Sequence, residues 1–145
     1  MELPIKIGFD IGGVLSKYPE IFRALIRKLS NPEPAGLPNS FEIHVISDMH
    51  DVKAMYKMLL TNNIIINENN IHSADYKTYG EYCKTKLCKD LGINIMIDDF
   101  IGYLAEGDFV RLLVMPDPKK PYYNDSWLTD GSEGDFGRRK KPENI

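Results

Sequence analysis

The sequence predicts an α/β fold built on a mainly parallel sheet. Three observations carry this. Short apolar runs rich in β-branched residues recur along the chain, as in "IKIGF", "FEIHVIS" and "INIMI", and such runs suit strands buried on both faces. Segments with apolar residues at helical spacing lie between them, which is the pattern of a sheet covered by crossover helices. The chain has 145 residues, 43% of them hydrophobic, enough for one well-buried core and not comfortably for two.

The elements follow in order. A first strand is expected over 5–9. The next segment places Ile21, Phe22, Leu25, Ile26 and Leu29 on one helical face, predicting a helix over 20–29. "NPEPAGLPNS" has three prolines and a glycine and reads as a loop. A second strand is expected over 41–47. Asp51 is suited to capping a helix that runs to about Leu60; residues 55, 56, 58 and 59 fit its packing side. "NIIIN" predicts a third strand, with "IHSAD" either extending it or forming a short one of its own. A helix over 78–92 ends at Gly92, a residue favoured just past a helix C-terminus. A fourth strand is expected over 93–97, a short amphipathic stretch over 100–105, and a fifth strand in "VRLLVM". The single domain is expected to span 1–130. Residues 131–145, rich in Gly and charge, read as a flexible tail. Tyr122, Tyr123 and Trp127 read as anchors for the segment leading into it.

Composition excludes several classes. Net charge is −3, with no basic excess to suggest an obligatory nucleic-acid partner; "RRKK" sits beside Glu133 and Asp135 and reads as a solvated tail. No apolar run approaches the length of a membrane span, and Asp10 interrupts the N-terminus before a signal sequence can form. Cys83 and Cys88 are poorly spaced for a disulfide or a metal clip and read as reduced thiols in a cytoplasmic protein. His44 is expected to pack within its strand, and His72 has no partner visible in the sequence.

In parallel sheets, chemistry collects beyond the C-terminal strand ends. The first strand delivers Asp10 there, the second Ser47 and Asp48, the fourth Asp98 and Asp99. Crowded carboxylates repel one another unless a cation or proton intervenes, and a hard divalent ion with oxygen ligands, most simply Mg²⁺, answers that need. Lys84 opens the last turns of the helix that leads into the fourth strand and Lys77 lies two turns earlier; either would add an ammonium. A nucleophilic carboxylate, a metal, a lysine and a small hydroxyl together suit phosphoryl transfer. Gly12 and Gly13 permit a sharp turn away from the first strand and close approach of the backbone to a phosphoryl group.

"IGFDIGGVL", "HVISD", a lysine-bearing helix and "INIMIDD", in this order, resemble the four motifs of the haloacid dehalogenase superfamily, over about residues 5–115. The resemblance implies a Rossmann-like three-layer α/β/α sandwich with a mainly parallel five-stranded sheet. The short connections after the first two motifs imply a capless member. It further implies an Mg²⁺-dependent phosphatase working through an aspartyl-phosphate. In that scheme Asp10 is nucleophile and metal ligand, and Gly12 offers its carbonyl to the metal. Ser47, Lys84 and Gly13 hold the phosphoryl group, and Asp98 and Asp99 bind the ion. Lys84 is preferred over Lys77 because the interval from Lys84 to Asp98 is one short helix plus one strand. The implied partner is a phosphorylated small molecule or macromolecule.

One position departs from the pattern. Phosphatases of the superfamily usually carry a second Asp two residues after the nucleophile, as general acid and base, and here that residue is Gly12. Losing such a group typically forfeits ~10²–10⁴-fold in rate. Either His50 or Asp51 substitutes for it, or the substrate carries a good leaving group. The remaining alternative is a weak or inactive protein that binds a phosphorylated ligand or a protein partner. A dehalogenase fits less well: it would be expected to carry a helical cap and has no use for a metal-binding acid pair.

Overall fold

The computed structural model describes residues 3–30 and 40–115. Five strands form one sheet in the order β3-β2-β1-β4-β5: β1 Ile5–Phe9, β2 Phe41–Ser47, β3 Ile71–Ser73, β4 Ile95–Asp98 and β5 Val110–Leu113. Every pairing is parallel. The helices are α1 Pro19–Ser30, α2 Val52–Thr61, α3 Tyr76–Tyr79 and α4 Cys83–Leu91. The architecture is Rossmann-like. The strand order reverses between β1 and β4, which in such sheets opens a crevice at the carboxyl ends of those two strands.

Alternation along the strands assigns each residue to a face. On one face Ile7, Phe9, Ile43, Val45 and Ile97 pack with Ile26 of α1 and with Met55, Met58 and Leu59 of α2. On the other, Ile46 and Met96 pack with Cys83 and Cys88 of α4 and with Tyr103 and Leu104. Gly8 belongs to this second face, where a Cβ would lie 2.8 Å from Met96 Sδ; glycine lets α4 and its neighbours sit close to β1.

β1, β2, α1 and α2 form where the sequence indicates. Asp51 caps α2, accepting hydrogen bonds from Lys53 N and Ala54 N. Gly92 adopts the left-handed conformation that ends α4 (φ 72°).

Three expectations are corrected. The apolar run "NIIIN" is not a strand. Ile64 and Ile66 are buried but pair with no neighbour in the sheet, and the third strand is the short Ile71–Ser73. An apolar run reports burial, and burial alone does not distinguish a ladder from an extended segment laid on the core. The helix expected over 78–92 is broken: Gly80 takes φ 58°, and the chain restarts as α4 at Cys83. Lys84 therefore lies in the first turn of α4, not in its last turns. The fourth strand begins at Ile95, because Asn94 instead takes Lys6 N on its side chain at 2.8 Å and Lys6 O on its N–H at 2.9 Å. The expected tail over 131–145 and the anchors Tyr122, Tyr123 and Trp127 lie outside the described residues.

Replacing Asp51 by Ala removes two hydrogen bonds at the start of α2 and is expected to cost about 1 kcal/mol of stability. Urea denaturation of the two proteins checks this, with the loss read as a lower midpoint at unchanged slope.

Candidate functional site

β1 and β4 deliver their acids side by side. Phe9 pairs with Ile97, and Asp10 N donates to Ile97 O at 3.0 Å, so Asp10 and Asp98 stand one step beyond the last pair that joins β1 to β4. Both fall on the face covered by α4. Lys84, fully buried, reaches in from that helix. Its ammonium lies 2.7 Å from Asp10 Oδ1 and 2.7 Å from Asp98 Oδ2. Lys77 is exposed on α3, so of the two candidate lysines the fold brings Lys84 to the acids.

After Asp10 the chain turns sharply through Ile11–Leu15. Gly12 is extended (φ −65°, ψ 126°) and Gly13 left-handed (φ 75°). The bonds that close the turn run from Leu15 N to Asp10 O and from Ser16 N to Ile11 O, using the carbonyls before Gly12 rather than its own. The Gly13 N–H, expected to face a phosphoryl group, donates to Ser16 Oγ at 3.2 Å. Gly13 is constrained on its other side by Asp99: a Cβ there would lie 2.0 Å from Asp99 Oδ2. The missing side chain makes room for a carboxylate.

Asp10, Asp98 and Asp99 each present a carboxylate oxygen, and the three oxygens lie within 4.8 Å of one another. Asp98 is held by both its oxygens, one to Lys84 and the other accepting from Phe100 N at 3.0 Å. Asp10 Oδ2 and Asp99 Oδ1 are buried and accept no hydrogen bond, although both residues make other contacts. A buried donor set made only of carboxylates is the coordination chemistry of a hard divalent cation. By that test the donor set suits a hard divalent cation.

Ser47 is buried at the end of β2 and accepts from Met49 N at 3.2 Å, which fixes its hydroxyl at the rim. Ser73 Oγ donates to Met49 O, so β3 steadies the same turn. Asp48 is buried as well and accepts from Tyr103 Oη at 2.6 Å. The Tyr103 ring in turn lies under the Lys84 ammonium, 4.5 Å from it. The sequence signalled Asp48 as a strand-end acid. It carried no signal for Tyr103, which sits in a 3₁₀ turn at Ile101–Leu104 and reads in the sequence as one more amphipathic position. The expected substitutes for the missing acid fare differently from the core set. Asp51 is engaged as the α2 cap, and His50 is exposed beside it.

Two other groups resolve. Burial pushes the thiol of Cys83 up to about 11 and that of Cys88 up to about 12, so both stay protonated, unreactive thiols. His72 does have a partner. Glu42 Oε1 lies 2.6 Å from His44 Nε2, and His44 Nδ1 lies 2.9 Å from His72 Nε2. Because a carboxylate only accepts, His44 donates from Nε2 to Glu42, and the tautomer sets the direction of the bond between His44 Nδ1 and His72 Nε2. Burial, and then the nearby His44, lower the His72 pKa from 6.5.

Comparison with protein-family models, with curated proteins and with solved structures finds no match for the chain in any of the three.

Two outcomes are expected. Gly13→Ala forces a methyl group into Asp99 and requires a left-handed alanine, so it should lower stability by roughly 2 kcal/mol or more, measured by thermal or urea unfolding. For His72 the unfolded chain takes up its proton first as pH falls below 6.5, while the folded chain resists until lower pH. Stability is then present above that value and lost through the window beneath it. Unfolding midpoints between about pH 7.5 and 5 should fall in wild type and fall less in His72→Gln.

Proposed function

We propose that the protein is an Mg²⁺-dependent phosphohydrolase of the haloacid dehalogenase type, acting through an aspartyl-phosphate on Asp10. The observation that carries this reading is the Lys84 ammonium held between Asp10 and Asp98, with Asp99 completing a three-carboxylate cluster. These residues come from three of the four motifs; the second motif contributes Ser47.

The chemistry follows from the residues. A carboxylate oxygen of Asp10 attacks phosphorus, and the bond from phosphorus to the leaving oxygen breaks. That oxygen takes up a proton. Water then attacks the phosphorus of the aspartyl-phosphate, releasing inorganic phosphate and restoring the carboxylate. Lys84 neutralises charge on the transferring oxygens, and the Ser47 hydroxyl donates to one of them. Asp98, Asp99, Asp10 and the Gly12 carbonyl would hold Mg²⁺, which when bound supplies positive charge to the phosphoryl oxygens.

Substrate follows from access. Residues 31–39 between α1 and β2 are too few to form a domain, so the reading is a capless enzyme for a phosphorylated small molecule or macromolecule. No described helix is long and apolar enough to cross a membrane, in keeping with a cytoplasmic setting.

A second reading is favoured by one specific residue. Gly12 brings no side chain to protonate the leaving oxygen, and a protein so built binds a phosphorylated ligand or partner without turning it over.

Hydrolysis of p-nitrophenyl phosphate, with and without Mg²⁺, separates the two. The first reading expects a rate that EDTA abolishes and that Asp10→Asn eliminates. A silent wild type with an active Gly12→Asp variant selects the second. Both expect Mg²⁺ to raise the melting temperature, since an ion at a hundred times its Kd stabilises by about 2.7 kcal/mol. The absence of any shift at millimolar Mg²⁺ defeats both.

A further inference from the structure

Lys84 has a charge to deliver, but lysine is poorly suited to delivering it in one place. Its stem has four rotatable carbons and its ammonium is a point charge without the fork geometry of arginine. The two carboxylates that hold it are also the groups that change during the proposed reaction. Asp10 loses its negative charge when it is esterified, and Asp98 is shared with the cation. Something that does not change must keep the ammonium in position.

We propose that Tyr103, oriented by Asp48, is the positioning residue for Lys84; this rests on the reading of Lys84 as the group that neutralises the phosphoryl oxygens. The ring face lies 4.5 Å from Nζ, within the range where the aromatic quadrupole attracts an ammonium, most strongly when the pair is desolvated. Tyr103 and Lys84 are both fully buried. Asp48 accepts a 2.6 Å hydrogen bond from the Tyr103 hydroxyl, which fixes the tilt of the ring and increases the negative charge on its face. Phe100 and Tyr76 meet the ring edge-on, at 5.0 and 6.4 Å between centroids.

The backbone supports the same arrangement. Thr85, the residue after Lys84, donates from Oγ1 to Glu106 O at 2.7 Å, with Tyr103 O 3.4 Å away. The turn that carries the ring is thus tied to the helical turn that carries the ammonium. Arg111 closes the far side, donating to Leu104 O at 2.8 Å and Ala105 O at 3.0 Å. Ser47 and Asp48 are adjacent, so the end of β2 that presents the phosphoryl-binding hydroxyl also anchors the support for Lys84.

The test reads the ammonium directly in the full ¹⁵N-labelled chain. A buried, held lysine exchanges its ammonium protons slowly and gives a ¹H–¹⁵N cross-peak, assigned here by its loss in Lys84→Met. Wild type should show it. Tyr103→Phe keeps the ring and loses the bond to Asp48, and should broaden the peak, as should Asp48→Asn. Tyr103→Leu should abolish it. Hydrolysis of p-nitrophenyl phosphate is measured beside it. The expected losses are on the order of tenfold in kcat for Tyr103→Phe and 10²-fold for Tyr103→Leu, with KM changing little. If Tyr103→Leu does not fold, Tyr103→Phe and Asp48→Asn, which keep the core volume, decide. A peak absent from wild type, or equally sharp in Tyr103→Phe and Asp48→Asn, overturns the proposal whatever the activity. A wild type that hydrolyses nothing while the peak responds as described removes the phosphohydrolase reading and retains Tyr103 as the group that positions Lys84.

Discussion

The interaction on which the rest of the site depends is the one between the buried ammonium of Lys84 and the carboxylates of Asp10 and Asp98. An ionised group removed from water costs several kcal/mol unless it is paired and hydrogen-bonded. Lys84 is fully buried, and it meets both acids at 2.7 Å. Deleting one partner of such a set leaves a buried charge uncompensated, which is far more damaging than never having buried it. The site is therefore assembled as a unit. α4, the ends of β1 and β4 and the turn carrying Tyr103 all meet at this one cation.

The remaining charge is still unbalanced. Among the described residues Asp10, Asp48, Asp98 and Asp99 are buried carboxylates, and Lys84 is the buried ammonium. Asp48 is served by the Tyr103 hydroxyl. Asp10, Asp98 and Asp99 converge, and carboxylates within a few ångströms of one another raise each other's cost of ionisation unless positive charge is supplied. This arrangement lies at the carboxyl ends of a parallel sheet, where such folds place their ligand sites. Gly13 shows the same choice in the backbone. Its left-handed conformation and missing side chain exist so that Asp99 can lie against it.

The polar groups away from this cluster work differently. Glu42, His44 and His72 form a line of hydrogen bonds across β2 and β3 that is satisfied within itself. It joins a short third strand to the sheet, and its chemistry is that of structural support with a dependence on pH. The thiols of Cys83 and Cys88 are likewise silent, since burial holds both in the protonated form. Among the described residues, the clustered buried carboxylates and the buried ammonium lie at the strand ends on either side of the crevice.

The sequence by itself determined the α/β class, the placement of β1, β2, α1 and α2, the Asp51 cap and the αL stop at Gly92. These are local consequences of hydrophobic period, capping and backbone freedom, which act over a few residues. It also singled out Asp10, Ser47, Asp48, Asp98 and Asp99, because in a parallel sheet chemistry collects beyond the carboxyl ends of the strands. Only the tertiary structure decided the rest. That "NIIIN" lies on the core without joining the sheet, and that Gly80 divides the helix before Lys84, are settled by which packing competes best, and periodicity does not record that competition. The choice of Lys84 over Lys77 depends on which face of the broken helix meets β1 and β4. The pairing of Tyr103 with Asp48 across 55 positions, and of His72 with His44 across 28, leaves no trace in local pattern. A contact between distant segments is created by the fold that brings them together, and neither residue carries it alone.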